Sequence, residues 1–211
     1  MTKLVLLHGL GQTCSDWYGV TNNLKQDYMI IDFFTNLDTD SEVTLESIYS
    51  KVSKILDGLT EPFYLCGLSL GGLLTLMYIT RKRNDNLKGI VISGAIYKSI
   101  PNWLSVFQSF VFKIMPKSNF QSMGLSKKQV INLMKSVDIN LETDLAKMEL
   151  PSLIICGEKD RINMKLSKEI NKLIKNSNLQ IIDNAGHEIN KEQPLKFAEV
   201  LNNFINQEKT V

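Results

Sequence analysis

The feature that most restricts the fold of this chain is the alternation of continuous apolar runs with segments of helical periodicity. Six runs have the length of a strand, and within them apolar residues follow one another instead of alternating with polar ones. Runs of this kind are typical of strands that are covered on both faces. They occupy residues 4–7, 28–33, 63–66, 89–93, 152–156 and 179–183.

Amphipathic segments fill most of the intervals between these runs. Apolar residues recur at helical spacing in residues 45–59, 166–174 and 197–205, which predicts helices with one apolar face each. Strands that alternate with helices form parallel sheets, because the common right-handed crossover packs a helix back on the sheet. The sequence therefore predicts a doubly wound α/β fold, with a mostly parallel six-stranded sheet and helices on both faces. The length of 211 residues suits a single domain.

One interval departs from this alternation of predicted strands and helices. Residues 97–147 separate the fourth run from the fifth, and they contain helical patterns but no run typical of a strand. We predict a small helical cap here, inserted in an α/β core of residues 1–96 and 148–211. Within the cap, Trp103, Phe107 and Phe110 recur at helical spacing and are predicted to line a substrate pocket.

The charge of the chain gives little reason to expect a nucleic-acid partner. There are 24 Lys and Arg against 22 Asp and Glu, a formal net charge of +2. The region of the cap differs, since residues 86–137 contain seven lysines and no acidic residue. A basic cap could attract anionic substrates or an anionic lipid surface, but the wide spread of these lysines favours an ordinary solvated face.

The sequence also bears on where the protein resides. No stretch approaches the roughly 20 apolar residues of a membrane-spanning helix, and no secretion signal precedes the first run. The cysteines Cys14, Cys66 and Cys156 are odd in number and have apolar neighbours, as expected for reduced thiols. We therefore expect a cytoplasmic protein.

The motif that most directly indicates chemistry is Gly67-Leu68-Ser69-Leu70-Gly71, which lies between an apolar run and a helical segment. A sharp strand-to-helix turn exposes a serine hydroxyl above the carboxyl edge of the sheet, and Gly67 and Gly71 make room for such a turn. The helix that follows aims its N-terminal amides at developing negative charge. Ser69 is therefore the predicted nucleophile.

A serine nucleophile needs a base, and the chain has only two histidines. His187 follows the last apolar run, where its ring can lean back over the carboxyl edge toward the serine, whereas His8 follows the first run. We predict that His187 is the base. Asp160, predicted to end the fifth strand, is the expected partner that orients this imidazole, with Asp32 and Asp183 as alternatives.

Two backbone amides are predicted to hold the oxyanion that forms on the substrate. One belongs to Leu70, and the other to Leu10 in the glycine-rich loop that begins with His8 and Gly9. This loop lacks the glycine pattern of a dinucleotide site and the Lys-Ser/Thr ending of a phosphate-binding loop, so nucleotide binding is disfavoured. The predicted chemistry needs neither a metal nor an organic cofactor.

Four motifs together resemble the α/β-hydrolase superfamily: Val5-Leu6-Leu7-His8-Gly9, the turn around Ser69, Gly157-Glu158-Lys159-Asp160 and Gly186-His187. They follow the superfamily's order of serine, acid and histidine. The resemblance implies an enzyme similar to small serine esterases and lipases, which hydrolyses a small or medium carboxylic ester. It also implies an eight-stranded sheet, so the first two strands are expected to be missing here.

Other functions share this framework. Thioesterases, lactonases and carbon–carbon bond hydrolases use the same catalytic groups, and they remain enzymatic alternatives. A non-catalytic protein that binds a small molecule on the same fold is the alternative from a different class.

Overall fold

The computed structural model describes residues 2–35, 42–99 and 124–207. Within these residues, six strands form one sheet in which every neighbouring pair is parallel. The strands are β1 (Lys3–Leu7), β2 (Tyr28–Ile31), β3 (Phe63–Leu68), β4 (Leu87–Ser93), β5 (Ser152–Gly157) and β6 (Ser177–Ile182). Their order across the sheet is β2-β1-β3-β4-β5-β6, so the chain winds first to one edge and then to the other. The predicted doubly wound, six-stranded fold is confirmed.

Helices connect the strands. In the described residues, a 3-10 helix (Cys14–Trp17) precedes α1 (Tyr18–Thr21), followed by α2 (Leu45–Asp57), α3 (Leu70–Arg81), α4 (Lys127–Lys135), α5 (Glu142–Leu145), α6 (Arg161–Leu173), α7 (Ile189–Glu192) and α8 (Pro194–Gln207). No helix in this part of the chain is long and apolar enough to cross a membrane.

Apolar layers cover both faces of the sheet. Along β1, Val5 and Leu7 belong to one layer while Leu4 and Leu6 belong to the other, and all four side chains are fully buried. Helices α2, α3 and α6 complete the first layer, and α1 and α8 complete the second. This double burial explains why the strands read as continuous apolar runs.

Several strand ends differ from the sequence prediction, and two of them bear on the site. β3 continues two residues past residue 66, because its last residues pair with the end of β4. The prediction that Asp160 ends β5 is wrong, since β5 ends at Gly157. Asp160 is instead the N-cap of α6, where its Oδ1 accepts a hydrogen bond from the N–H of Asn163 at 3.2 Å. A carboxylate is favoured there because the first N–H groups of a helix have no acceptor within it.

Part of the predicted cap lies within the described residues. Helices α4 and α5 bury Leu133 and Leu145 in the same apolar layer as α2 and α3. An isolated antiparallel bridge joins Lys98 to Asn140. Outside the described residues lie the three predicted pocket residues, Trp103, Phe107 and Phe110. The cap boundaries at residues 97 and 147 and the pocket role of these aromatic residues stay predictions.

Candidate active site

Ser69 occupies the turn between β3 and α3 in a backbone conformation that is rare for a residue with a side chain. Its φ is 55° and its ψ is −112°, a sparsely populated region that costs on the order of 1–3 kcal/mol. The N–H of Ser69 donates to the carbonyl oxygen of Ser93 at 2.8 Å. A Cβ added to Gly67 would stand only 2.2 Å from the carbonyl oxygen of Gly71. The turn is therefore too tight for a side chain at Gly67, and the surrounding structure holds the serine in its strained conformation.

The loop after β1 passes directly beside this serine. The N–H of Gly71 donates to the carbonyl oxygen of His8 at 3.1 Å. A Cβ added to Gly9 would lie 3.4 Å from the Cβ of Ser69. The backbone of the loop thus lies close to Ser69.

The two predicted oxyanion donors belong to the two backbone segments that meet at Ser69. Leu70 is the first residue of α3, so its N–H has no acceptor within the helix. Leu10 lies in a turn that is closed by a 3.2 Å hydrogen bond from the N–H of Gln12 to the carbonyl oxygen of Gly9. Gly11, at φ 90°, supplies the left-handed conformation of this turn.

His187 and Asp160 form a close pair at the same edge of the sheet. The imidazole Nδ1 lies 2.8 Å from the carboxylate Oδ2. The Asp160 side chain is 8% exposed and the His187 side chain 27%, so the acid lies beneath a partly accessible ring. In the tautomer that is protonated at Nδ1, this N–H donates to the carboxylate, and the basic lone pair lies on Nε2.

Asn163, which the sequence did not reveal as a site residue, contacts both members of this pair. Its Nδ2 donates to both carboxylate oxygens of Asp160, at 2.9 and 2.8 Å, and lies 3.1 Å from Nδ1 of His187. Burial raises the pKa of the Asp160 carboxyl, but the hydrogen bonds from His187 and Asn163 outweigh it and hold this pKa below its ordinary value. The contacts of Asp160 therefore favour its ionised form.

Gly94 links this pair to the serine turn. It follows Ser93, the residue at the end of β4 whose carbonyl oxygen accepts the N–H of Ser69. A Cβ added to Gly94 would stand 2.7 Å from Cε1 and 2.9 Å from Nδ1 of His187. The imidazole thus lies against the end of β4, the strand next to the one that carries the serine. The structure brings Ser69, His187 and Asp160 to one region of the carboxyl edge.

The other candidates for the base and for its acidic partner have different surroundings. His8 is 1% exposed, and its ring stacks on that of Phe33 with a centroid distance of 4.1 Å. Asp32 Oδ1 lies 3.9 Å from Nε2 of this buried histidine and accepts two backbone N–H groups of its own loop. Asp183 is exposed. Of the three aspartates considered, Asp160 is the one whose carboxylate contacts the imidazole of His187.

The arrangement defines the class of protein. A serine held in a strained turn between a parallel strand and its helix is a nucleophile elbow, the feature on which α/β-hydrolase sites are built. In residues 2–35, 42–99 and 124–207, no group of three or more His, Cys, Asp or Glu side chains could hold a metal ion.

Comparison with known proteins identifies the family. Residues 4–200 match the model of the "Alpha/beta hydrolase family", and the chain belongs to this family. It is 21% identical over 243 aligned positions to 2-succinyl-6-hydroxy-2,4-cyclohexadiene-1-carboxylate synthase of Photorhabdus laumondii, covering 96% of this chain and 84% of that one. It is 23% identical over 235 positions to 3-oxoadipate enol-lactonase 1 of Acinetobacter baylyi, covering 96% of this chain and 88% of the relative.

A solved structure has a closely similar fold. A thermophilic esterase from Thermogutta terrifontis superposes with a TM-score of 0.78 at 18% identity, covering 99% of this chain and 90% of the esterase. At that identity the likeness concerns the fold alone. The three relatives carry names of different activities, so the reaction of this chain has to be argued from its own residues.

Proposed function

We propose that this protein is a serine hydrolase that cleaves a small or medium carboxylic ester through an acyl-enzyme intermediate. The observation that carries the proposal is the strained turn of Ser69 at the same edge of the sheet as an imidazole whose Nδ1 lies 2.8 Å from a buried carboxylate. This combination supplies a nucleophile, a base and a group that orients the base.

In the proposed reaction, the hydroxyl of Ser69 attacks the ester carbonyl while Nε2 of His187 takes its proton. Asp160 holds the ring in the tautomer that leaves Nε2 basic and stabilises the imidazolium that forms. The imidazolium then gives its proton to the departing alcohol, which leaves an acyl group on Ser69. A water molecule, deprotonated by His187, attacks this acyl group and releases the carboxylic acid.

The oxyanion of each tetrahedral intermediate is proposed to accept hydrogen bonds from the N–H groups of Leu10 and Leu70. The Leu70 amide is supported by its position at the start of α3, where the helix dipole also favours negative charge. Losing one such donor lowers kcat by about 10²- to 10³-fold in enzymes of this kind. Because all of these groups come from the chain itself, the proposed reaction uses no cofactor.

A panel of p-nitrophenyl esters of graded acyl length, together with a fluorophosphonate probe, tests this proposal. We expect ester hydrolysis and stoichiometric labelling of the wild type. Ser69→Ala should abolish labelling, and both Ser69→Ala and His187→Ala should lower kcat by on the order of 10⁶-fold. Ser47→Ala, which alters an exposed serine at the start of α2, is the control and should leave labelling intact.

The kind of bond that is cleaved in the natural substrate needs a separate test. Thioesters, lactones and carbon–carbon bonds next to a carbonyl can be cleaved by the same groups, and the enol-lactonase relative makes a lactone the first alternative to test. Hydrolysis of a lactone at a higher kcat/KM than any linear ester of the panel would favour lactonase activity.

A lyase-type reaction is a second candidate, favoured by the relative named as a cyclohexadiene carboxylate synthase. Elimination to form a diene begins with removal of a proton, for which a serine and imidazole pair can act as the base without an acyl-enzyme. If the protein is labelled by the fluorophosphonate and binds that cyclohexadiene carboxylate in calorimetry but hydrolyses no ester or lactone, this candidate takes precedence.

A non-catalytic binding protein is the alternative from another class. It would bind small molecules with neither fluorophosphonate labelling nor turnover of any ester. The presence of all three polar groups in one region argues against it, because a binding site has no need for a strained serine.

A further inference from the structure

A buried pair of side-chain amides joins the loop after β1 to the segment that carries His187. Gln12 closes the turn that contains Leu10, and Asn190 lies in α7, directly after the histidine loop. Their exposed fractions are 2% and 1%. Because three strands lie between β1 and β6, the pair joins two segments that leave the sheet at well-separated strands.

The hydrogen bonds of the pair leave little freedom to either side chain. Nε2 of Gln12 donates to Oδ1 of Asn190 at 3.1 Å and to Oε1 of Glu188 at 3.0 Å. Nδ2 of Asn190 donates to Oε1 of Gln12 at 3.3 Å and to the carbonyl oxygen of Asp16 at 3.1 Å. Both hydrogens of each amide nitrogen are thus used, which fixes the rotamers of both side chains.

The same side chain holds the backbone of the loop. Oε1 of Gln12 accepts the N–H of Gly9 at 3.2 Å. The carbonyl oxygen of Gly9 accepts the N–H of Gln12 at 3.2 Å and Nδ1–H of His8 at 2.9 Å. In a trans peptide the N–H points away from the carbonyl oxygen. Anchoring the oxygen of Gly9 by the backbone N–H of Gln12 and the ring of His8 therefore aims the N–H of Leu10 in the opposite direction. The side chain of Gln12 holds the same segment through the N–H of Gly9.

We infer that Gln12 and Asn190 are positioning residues. They hold the N–H of Leu10, as an oxyanion donor, in a fixed position relative to His187. The inference rests on the proposed function, since it assigns a task in that reaction. A purely structural role would explain less, because buried amide pairs add little net stability over well-packed apolar side chains. The close approach of Gly9 to Ser69 makes small shifts of this loop costly to the reaction.

Leucine variants test the inference, since leucine approximates the volume of an amide side chain without its hydrogen bonds. For Gln12→Leu and Asn190→Leu we expect kcat for a p-nitrophenyl ester to fall by about 10- to 100-fold, with KM within about twofold. The double variant should lose little more than the more impaired single variant, because the two amides act as a unit.

A trifluoromethyl ketone reports on the oxyanion directly. The hydroxyl of Ser69 adds to its carbonyl carbon, the proton passes to His187 and the carbonyl oxygen becomes the oxyanion of a hemiketal. Its affinity should fall in each variant by the same factor as kcat/KM, as expected for an analogue of the transition state.

Asn202→Leu is the matched control for loss of a buried amide. Asn202 is 6% exposed, accepts the N–H of Lys25 at 3.0 Å and donates to the carbonyl oxygen of Asn23 at 3.0 Å. We expect this variant to lower the melting temperature while kcat and the inhibitor affinity stay at wild-type values.

The outcomes separate the inference from the proposed function. If the amide variants change kcat and inhibitor affinity no more than Asn202→Leu does, the inference is overturned. Should the leucine variants fail to fold, Gln12→Met keeps the unbranched shape of the side chain without placing a charge beside Glu188, and the same loss of kcat is expected. A wild type that neither hydrolyses esters nor reacts with the fluorophosphonate refutes the proposed function itself, and the inference with it.

Discussion

A single methyl group added at Gly94 is expected to lower the activity without removing any polar group of the site. The Cβ of Gly94→Ala would stand 2.7 Å from Cε1 and 2.9 Å from Nδ1 of His187. Ordinary contact begins at 3.4 Å, so from 2.7 Å the ring must retreat by about 0.7 Å. In the proposed mechanism, this moves Nε2 away from the position in which it takes the proton of Ser69.

The size of the effect follows from that displacement. A misplacement of 1 Å can cost about 100-fold in rate, so we expect kcat to fall by about 10- to 100-fold. The substitution also strains the backbone, because Gly94 has φ 59°. Alanine in this left-handed region costs about 1–2 kcal/mol of stability.

Gly124→Ala separates the two effects. Gly124 has φ 66°, and a Cβ added there meets no described atom within 4 Å. Its variant should therefore lose a similar amount of stability in urea unfolding while its kcat for a p-nitrophenyl ester stays near that of the wild type. Equal kcat values for the two alanine variants would refute the reasoning, because the contact with the imidazole would then have no consequence.

Three further predictions concern the charges at and around the site. Asp160→Asn should lower kcat by about 10⁴-fold, whereas Asp32→Asn should lower it by less than about tenfold, as steady-state assays of both variants would reveal. Because the folded-state pKa of Asp160 is lowered, its ionisation stabilises the fold above the unfolded-state pKa, and this stabilisation is lost as the pH falls through the folded-state pKa. Asn163→Leu removes two of the hydrogen bonds that lower this pKa, so the unfolding free energy that the variant loses on acidification should be smaller, and the loss should be complete at a higher pH. An unchanged profile would contradict this role. Finally, kcat/KM for an ester that carries a negative charge should change by less than about twofold between low and high salt, and a steep fall would instead favour a basic cap that attracts anionic ligands.

The fold was predictable because strands that are buried on both faces of a sheet have a recognisable sequence pattern. Apolar residues on both faces of a strand produce uninterrupted runs, and the helices between them show the period of a single covered face. The carboxyl ends of parallel strands share one edge, so residues far apart in sequence were expected to converge there. The structure brings the predicted Ser69, His187 and Asp160 to that edge.

Residues that act through side-chain geometry were not predictable in the same way. Asn163 follows an N-capping aspartate by three residues, a spacing typical of ordinary helix starts, and nothing in the sequence shows that its amide also reaches the histidine. Gln12 and Asn190 are 178 residues apart, and their contact depends on the sheet that brings the two loops together. Gly94 lacks any motif of its own, and its role emerges only from the ring packed against it.

The most direct test of the proposed mechanism is to identify the residue to which the acyl group is attached during turnover. The protein should be quenched with acid in the presence of a p-nitrophenyl ester, digested with trypsin and analysed by mass spectrometry. The acyl group is expected on the peptide of residues 55–81, in which Ser69 is the only serine, and it should be absent from Ser69→Ala. An acyl group on another residue, or rapid ester hydrolysis by Ser69→Ala, would contradict the assignment of Ser69 as the nucleophile.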